Sequence, residues 1–171
     1  MTAQPDFAKN VLPHLYRLEE DEAGPDPAEV SKRYGISLES IAVLSRNENP
    51  YGPSPLVRQA LADVPMNRYP DSRSFIEALS KYTGLPGENI VIGAGMDEII
   101  ATVCRIFLGP GDRGAISYPT YSLYALATQL CGADPLYYPR KEDFSVDGVP
   151  AGAKMAFICS PNNPTGNALS E

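Results

Sequence analysis

The sequence predicts an α/β protein with a mainly parallel sheet flanked by helices. Short apolar runs, each about the length of a buried strand, alternate with helical segments after residue 88, and the connections between them are short. Such strand–helix–strand units join parallel strands by right-handed crossovers, and helices cover the resulting sheet. The chain has 171 residues, of which 43% are apolar. That is enough for a packed core.

The elements follow from periodicity and from residues that start or stop helices. Helices are expected from Pro27 to about Tyr34, then at about 55–62, 73–82, 96–107 and 122–130, and strand-like runs at 41–44, 89–92, 115–117, 135–138 and 154–159. The first helix has Asp26 as its N-cap, with Pro27 at the first helical position and Gly35 as a left-handed C-cap. The helix from Met96 is expected to bury Ile99, Val103 and Ile106.

Composition excludes several classes of function. The net charge is −7, which argues against binding to nucleic acid or to an anionic membrane. Apolar runs are too short to span a bilayer, and the N-terminus does not resemble a signal peptide. A single histidine and three widely spaced cysteines give no metal-site pattern, so no metal is expected. Free cysteines fit a reducing compartment, and we expect a cytoplasmic protein.

Three loops follow predicted strands, and all three carry residues suited to ligand binding. They read GAGMDE from Gly93, YPTY from Tyr118 and SPNNPTG from Ser160. In open α/β sheets, ligands bind outside the carboxyl ends of the strands. If the strands are parallel, the three loops share one edge of the sheet.

The glycine-rich loop precedes a helix, and a helix N-terminus offers unpaired N–H groups and partial positive charge to a phosphate. The structural alternative is a strand-to-helix turn that needs flexible glycines. A dinucleotide site would require a third glycine and an acidic residue at the end of the next strand. Position 98 is Glu and the next strand ends in Ser117-Tyr118, so a nicotinamide cofactor is disfavoured.

The other two loops add an aromatic ring and an amide. Tyr121 could stack on a planar heterocycle, or pack into the core as one of a stripe with Tyr118 and Tyr124. Asn163 precedes a proline, which favours an extended backbone, so its amide could donate to a ligand oxygen; the alternative is a turn without a ligand. Phosphate donors, a ring and an amide together describe a pocket for pyridoxal 5′-phosphate.

The chain resembles the N-terminal half of the histidinol-phosphate aminotransferase family, within the fold-type-I class I and II aminotransferases that use pyridoxal phosphate. The matching segments occur in family order and cover most of the chain from Pro27. They are PAEVSKRYGIS, NENPYGPSP, RYPD, GAGMDEII, YPTYSLY and CSPNNPTG. The last is typical of aminotransferases in general, while NENPYGPSP with RYPD points toward the histidinol-phosphate group.

The resemblance implies roles for individual residues. It implies that the backbone of Gly95, Met96 and Asp97 holds the cofactor phosphate, that Tyr121 stacks on the pyridine ring and that Asn163 bonds its phenolic oxygen.

The resemblance also implies a homodimer with shared sites, because Tyr69 matches a tyrosine that reaches the phosphate in the neighbouring subunit. Asn47 and Tyr51 match a loop that borders the substrate.

The resemblance further implies that the chain is incomplete. Residues 1–45 correspond to an N-terminal arm and part of a small domain, and residues 46–171 to part of the cofactor-binding large domain. No lysine lies in a context like that of the lysine that binds the cofactor covalently, so no catalytic residue is assigned and the chain alone is expected to be inactive.

The whole enzyme is expected to exchange an amino group between glutamate and imidazole-acetol phosphate, in histidine biosynthesis. The alternatives are an aromatic aminotransferase, an amino-acid-phosphate decarboxylase or a non-catalytic fragment.

Overall fold

The computed structural model describes residues 9–18 and 24–169. Five α-helices and three β-strands are present in these residues. The helices are α1 (Pro27–Tyr34), α2 (Pro55–Ala62), α3 (Arg73–Thr83), α4 (Met96–Phe107) and α5 (Leu123–Leu130), and the strands are β1 (Arg113–Tyr118), β2 (Asp134–Pro139) and β3 (Met155–Phe157). Single 3₁₀ turns occur at Pro13–Arg17, Leu38–Ser40 and Gly87–Asn89.

These elements form two compact units. One unit contains the described parts of residues 1–20 and 88–171, and the other those of residues 21–87. The strands, α4 and α5 belong to the first unit, and α1, α2 and α3 to the second. The predicted domain boundary at residue 45 refers to the domains of a whole enzyme and stays a prediction.

The helices of the second unit begin and end where the sequence predicts. The Asp26 carboxylate accepts a hydrogen bond from the Ala28 N–H at 2.9 Å, and Gly35 closes α1 with φ 66°, a left-handed conformation that glycine adopts without a steric penalty. Ser54 caps α2 by accepting from the Leu56 N–H at 3.3 Å.

The sheet of the first unit is parallel, as predicted, in the order β2-β1-β3. In the register, Ala115 lies opposite Leu136 on one side and Ala156 on the other. The central strand β1 is buried from Gly114 to Ser117, because both of its edges are paired and side chains on both faces are covered.

The core of this unit lies where α4 and α5 pack together and α5 packs on the sheet. It consists of the buried residues Ile100, Cys104, Leu108, Ala127 and Ala133, with half-buried aromatic rings around them. Burial, together with the neighbouring Cys131, raises the pKa of the Cys104 thiol to about 11. This thiol therefore stays protonated and acts as a small apolar core residue.

The expectation for the buried face of α4 is wrong by one position. Ile100 and Cys104 are buried, whereas Val103 and Ile106 are exposed. Eight of the twelve residues of this helix are apolar, so periodicity alone leaves more than one face that could be buried. The contact with α5 selects the face that is buried.

Two predicted strands are not formed. Residue 89 ends the 3₁₀ turn and residues 90–92 are irregular chain, with Val91 81% exposed. Residues 41–44 are also irregular, with Leu44 90% exposed. A strand needs a neighbouring backbone to pair with, and no described residue of the sheet pairs with either run. An apolar run indicates a tendency to be buried but does not supply that partner. The last strand is also shorter than predicted, at three residues.

No helix within residues 9–18 and 24–169 is both long and apolar enough to cross a membrane.

The ion pair at the amino end of the sheet should make stability depend on acid pH. Lys154 Nζ lies 2.8 Å from Asp112 Oδ2, and this hydrogen bond lowers the Asp112 pKa below 3.8. A lowered folded-state pKa contributes stability above the unfolded pKa, and the contribution is lost as the pH falls through the folded value. We expect Asp112→Asn to lower the thermal midpoint at neutral pH and to flatten its fall below about pH 4.

The measurement is thermal unfolding by circular dichroism as a function of pH. Asp134→Asn, on an exposed strand residue, controls for the loss of one surface charge. If the thermal midpoint of Asp112→Asn fell at acid pH as steeply as that of the unsubstituted chain, the role assigned to this ion pair would be wrong.

Candidate ligand site at the carboxyl edge of the sheet

The carboxyl ends of the strands carry two of the three loops that the sequence singles out. The expectation for the glycine-rich loop from Gly93 is wrong in one respect, because the run before it forms no strand of the sheet. Strand β1 runs directly into Pro119–Tyr121, and β3 is followed closely by the loop from Ser160 to Gly166. Because both strands are parallel to each other in the sheet, both loops emerge at the same edge.

The two glycines before α4 have different roles. A Cβ atom at Gly93 would lie 2.9 Å from Glu98 Oε2 and 3.0 Å from Ile99 Cδ1, so a larger residue there would require the ends of these two side chains to move. At Gly95, which is the N-cap of α4, a Cβ atom would meet no heavy atom within 4 Å. Gly95 also has φ 157°, a conformation that residues with a Cβ atom rarely adopt, so the turn itself accounts for a glycine there, and the space beside it is open.

The start of α4 borders a cavity of about 450 Å³, lined by Ala94, Gly95, Met96, Asp97 and Glu98. The first N–H groups of a helix have no acceptor inside the helix and carry partial positive charge. The Glu98 carboxylate accepts the Ala94 N–H at 2.5 Å, so that amide is already paired. The donors that can face the cavity are those of the next residues, which are the ones predicted to hold a phosphate.

Tyr121 is tied to the same helix. Its hydroxyl donates to Asp97 Oδ1 at 2.9 Å. Its ring meets the ring of Tyr124 edge-on, with centroids 5.8 Å apart, and Tyr124 stacks on Phe157 at 4.7 Å. Tyr121 is half-buried at the margin of the core, whereas Tyr118 is exposed, so the three tyrosines of the loop are not one buried stripe.

Asn163 lies in a loop that its neighbour Asn162 closes. The Asn162 N–H donates to the Asn167 carbonyl at 2.9 Å, and the Gly166 N–H donates to the Asn162 carbonyl at 2.7 Å. The Asn163 side chain is half-buried, while Asn162 is only 3% exposed. These two hydrogen bonds restrain the backbone of the loop that carries Asn163.

The Asn162 carboxamide connects this loop to the loop after β1. Its Oδ1 atom accepts from Thr120 Oγ1 at 2.7 Å, and its Nδ2 atom donates to the Pro119 carbonyl at 3.1 Å and to Thr165 Oγ1 at 2.8 Å. Asn162 thus bonds the residue next to Tyr121 while it adjoins Asn163. The two predicted ligand residues are placed relative to each other through this one side chain.

Arg140, directly after β2, completes the connection. Its guanidinium bonds to four acceptors, and we refer to these residues as the Arg140 network: Arg140, Ser117, Pro119, Phe144 and Asn162. Neither Asn162 nor Arg140 is among the predicted site residues. A sequence signal existed for both, since Asn162 precedes Asn163 in the same motif and Arg140 lies two residues after the strand predicted at 135–138.

The other predicted site residues lie in the second unit. Tyr69 is 100% exposed and Tyr51 is 94% exposed, and Asn47 is also exposed. The backbone N–H of Tyr51 donates to Asn49 Oδ1 at 3.0 Å, which fixes the turn that carries it. Their roles toward a cofactor phosphate and a substrate stay predictions.

The family model for aminotransferase class I and II matches residues 39–171. The chain belongs to this family.

Comparison with individual proteins points to the same family. The chain is 42% identical over 168 residues to a histidinol-phosphate aminotransferase of Methanosarcina mazei, covering 92% of this chain and 46% of that protein. A protein of the same name from Methanosphaerula palustris is 48% identical over 140 residues, covering 76% and 39%. This aminotransferase-family chain therefore spans about half the length of the curated relatives it matches.

Solved structures support the fold. The histidinol-phosphate aminotransferase from Sinorhizobium meliloti, in complex with pyridoxal-5′-phosphate, superposes with a TM-score of 0.73 at 22% identity, covering 98% of this chain and 46% of that one. An Escherichia coli aminotransferase gives a TM-score of 0.66 at 25% identity, over 86% and 42%. The predicted fold class is confirmed.

Two lysines of the first unit of this aminotransferase-family chain, Lys141 and Lys154, form ion pairs away from α4. Lys154 pairs with Asp112 at the amino end of the sheet, and Lys141, after β2, pairs with Asp147 at 3.3 Å. Neither of these two lysines lines the cavity at α4.

The hydroxyl of Tyr121 should stabilise the first turn of α4. We expect Tyr121→Phe to keep the ring and to lose the bond to Asp97, which is worth about 1 kcal/mol, or roughly a fivefold change in local opening. Hydrogen exchange at the amides of Ile99 and Ile100 should accelerate by that factor. Tyr82→Phe, at a tyrosine exposed in the second unit, is the matched control. Equal exchange rates of these amides in Tyr121→Phe and Tyr82→Phe would contradict the stabilising role of the Tyr121 hydroxyl.

Proposed function

We propose that the chain supplies the phosphate-side and ring-side contacts of a pyridoxal-phosphate site in an aminotransferase. The observation that carries this proposal is the hydrogen bond of Tyr121 to Asp97. It joins an aromatic ring at the carboxyl edge of the sheet to the N-terminus of a helix that borders a cavity. Asn163 extends from the next loop at the same edge.

The residues present fit this cofactor. The cavity is within the range of about 300–1,000 Å³ that small-molecule sites occupy. Its wall contains the helix N-terminus that suits a phosphate, and Gly95 leaves the approach to these amides open. Tyr121 and Asn163 supply a flat face and an amide donor, which suit a pyridine ring and its oxygen.

Each residue then has a physical task. The N–H groups of Met96 and Asp97 bind phosphate oxygens, and Asp97 also holds the Tyr121 hydroxyl, which fixes the angle of the ring. The Asn163 amide stabilises the negatively charged form of the cofactor's phenolic oxygen by donating to it. When bound, the cofactor withdraws electrons from the substrate carbon, so that an amino group can be exchanged between an amino acid and a keto acid.

The proposed reaction of the whole protein is amino transfer from glutamate to imidazole-acetol phosphate. Support comes from the curated relatives described above, which are named for histidinol phosphate and match most of this chain. We further propose a homodimer in which Tyr69 reaches the phosphate site of the partner. The exposed Tyr69 ring is available for such a contact. A cytoplasmic location fits the free cysteines.

Binding of pyridoxal phosphate to the chain tests the site. We expect saturable binding, measured by cofactor fluorescence, with pyridoxal bound at least tenfold more weakly because it lacks the phosphate that the helix N-terminus recognises. Tyr121→Ala and Asn163→Ala should each weaken binding about tenfold, or ~1.4 kcal/mol. Tyr82→Ala should leave the affinity for pyridoxal phosphate unchanged. Equal affinity for the phosphorylated and unphosphorylated forms would contradict the proposal.

The substrate assignment needs a separate measurement. The chain alone is expected to bind the cofactor without turnover, because none of its lysines is assigned to the covalent anchor. Amino transfer between glutamate and imidazole-acetol phosphate by the isolated chain would show that this expectation is wrong. Failure of a longer gene product to use histidinol phosphate, while it uses an aromatic amino acid, would remove the proposed substrate and leave the cofactor site intact.

A further inference from the structure

The Arg140 network is a buried polar cluster of the first unit in which one guanidinium has four acceptors. Arg140 is 9% exposed. Its Nε atom donates to the Pro119 carbonyl at 3.1 Å and its Nη1 atom to the Phe144 carbonyl at 3.0 Å. Its Nη2 atom donates to Ser117 Oγ at 2.9 Å and to Asn162 Oδ1 at 2.8 Å. The guanidinium thus reaches the end of β1 and the loops that follow all three strands.

None of the four acceptors is a carboxylate. The salt bridges found among the described residues involve Arg73, Lys141 and Lys154, and not Arg140. A buried charge with only neutral partners is expensive, and an apolar side chain at such a position is often as stable. Stability alone therefore does not account for an arginine here.

The backbone at Phe144 supports the same conclusion. Its φ is 62°, a left-handed conformation that is unfavourable for a bulky residue. This conformation aims the Phe144 carbonyl at two donors, Arg140 Nη1 at 3.0 Å and Asn167 Nδ2 at 2.9 Å. The Phe144 carbonyl, in the loop after β2, thus accepts from Arg140 in the same loop and from Asn167 in the segment after β3.

We propose that Arg140 is a positioning residue for the cofactor site, which locks the loop that carries Tyr121 and the loop that carries Asn163 into one arrangement through Asn162. The inference rests on the proposed function, because it concerns the same site. Arg140 itself hydrogen-bonds neither Tyr121 nor Asn163 in the structure, so its effect on the ligand residues is indirect. It acts on Pro119, two residues before Tyr121, and on Asn162, one residue before Asn163.

The chemistry of the side chain explains why arginine is used. A guanidinium presents five N–H donors in a rigid plane, so one side chain can hold several acceptors at fixed angles. A lysine ammonium is a flexible point charge and does not impose that geometry. The two carbonyls, the Ser117 hydroxyl and the Asn162 amide oxygen are therefore all bound to one rigid group.

The first arm of the test is hydrogen exchange in the absence of cofactor. Arg140→Met removes the donors and keeps much of the apolar volume. We expect faster exchange, by at least tenfold, at the amides of Asn162 and Gly166, which close the Asn163 loop, and at Tyr124, which follows the β1 loop. Arg105→Met, at an exposed arginine of α4, is the matched control and should leave these amides unchanged.

The second arm is cofactor binding below the unfolding temperature of every variant. We expect Arg140→Met to weaken pyridoxal-phosphate binding at least tenfold, and Arg140→Lys to restore little of it. The spectrum of the bound fraction should also change, with the cofactor's phenolic oxygen taking up its proton at a higher pH, because the Asn163 amide is no longer held in place to stabilise its negative charge. General loss of stability reduces how much cofactor is bound but does not shift that titration.

The outcomes separate the possibilities. Accelerated exchange in both loops, weaker binding and a shifted cofactor titration support the proposal. Unchanged affinity and an unchanged titration in folded Arg140→Met overturn it and leave the proposed function standing. If the unsubstituted chain itself does not bind the cofactor, the proposed function fails; the exchange arm still decides whether Arg140 locks the loops.

A milder variant covers the case in which Arg140→Met does not fold. Ser117→Ala removes one of the four acceptors, at a residue that is 1% exposed, and leaves the guanidinium in place. We expect Ser117→Ala to accelerate amide exchange and to shift the cofactor titration in the same directions as Arg140→Met, but by smaller amounts. The absence of any change in both measurements would overturn the proposal.

Discussion

Parallel pairing of β1 with a strand on each side is the constraint on which the remaining structure depends. It fixes the carboxyl ends of β1, β2 and β3 at one edge of the sheet, so that loops far apart in sequence meet there. Helix α5 packs on β1 closely enough that a Cβ atom at Gly114 would lie 2.9 Å from Thr128 Oγ1. The start of α5 follows Tyr121 directly, so this packing also sets where the Tyr121 ring lies.

The start of α4 carries negatively charged side chains, which oppose the binding of a phosphate at this helix N-terminus. Asp97 and Glu98 both lie in the first turn, where acidic side chains interact favourably with the helix dipole but repel an anion. Each is engaged by the protein, Asp97 with the Tyr121 hydroxyl and Glu98 with the Ala94 N–H. The carboxylates are thus held by fixed partners, and the remaining backbone donors of the turn can face the cavity.

The sequence was sufficient for the features that depend on local chemistry. The caps at Asp26 and Gly35 are predictable because a side-chain acceptor and a left-handed residue act within a few positions of the chain. The shared edge of the loops after β1 and β3 is predictable because strand–helix alternation implies parallel pairing. Residues 90–92 were not predictable as irregular chain, because an apolar run does not reveal whether a neighbouring strand is available.

Asn162 and Arg140 were missed for a related reason. Their importance comes from bonds across more than 20 positions of sequence, such as Arg140 to Asn162, and polar residues in a loop carry no periodic signal. Tyr51 and Tyr69 are the opposite case. The motifs that contain them are recognisable in the sequence, although both residues are exposed in the structure.

The most direct measurement is a nuclear magnetic resonance titration of the isotope-labelled chain with pyridoxal phosphate. The account predicts that the backbone amides from Gly95 to Asp97, the amide at Tyr121 and the side-chain amide of Asn163 all shift together along one binding curve. Shifts that follow separate curves, or that gather on another surface while these resonances stay fixed, would contradict a single site at this edge of the sheet.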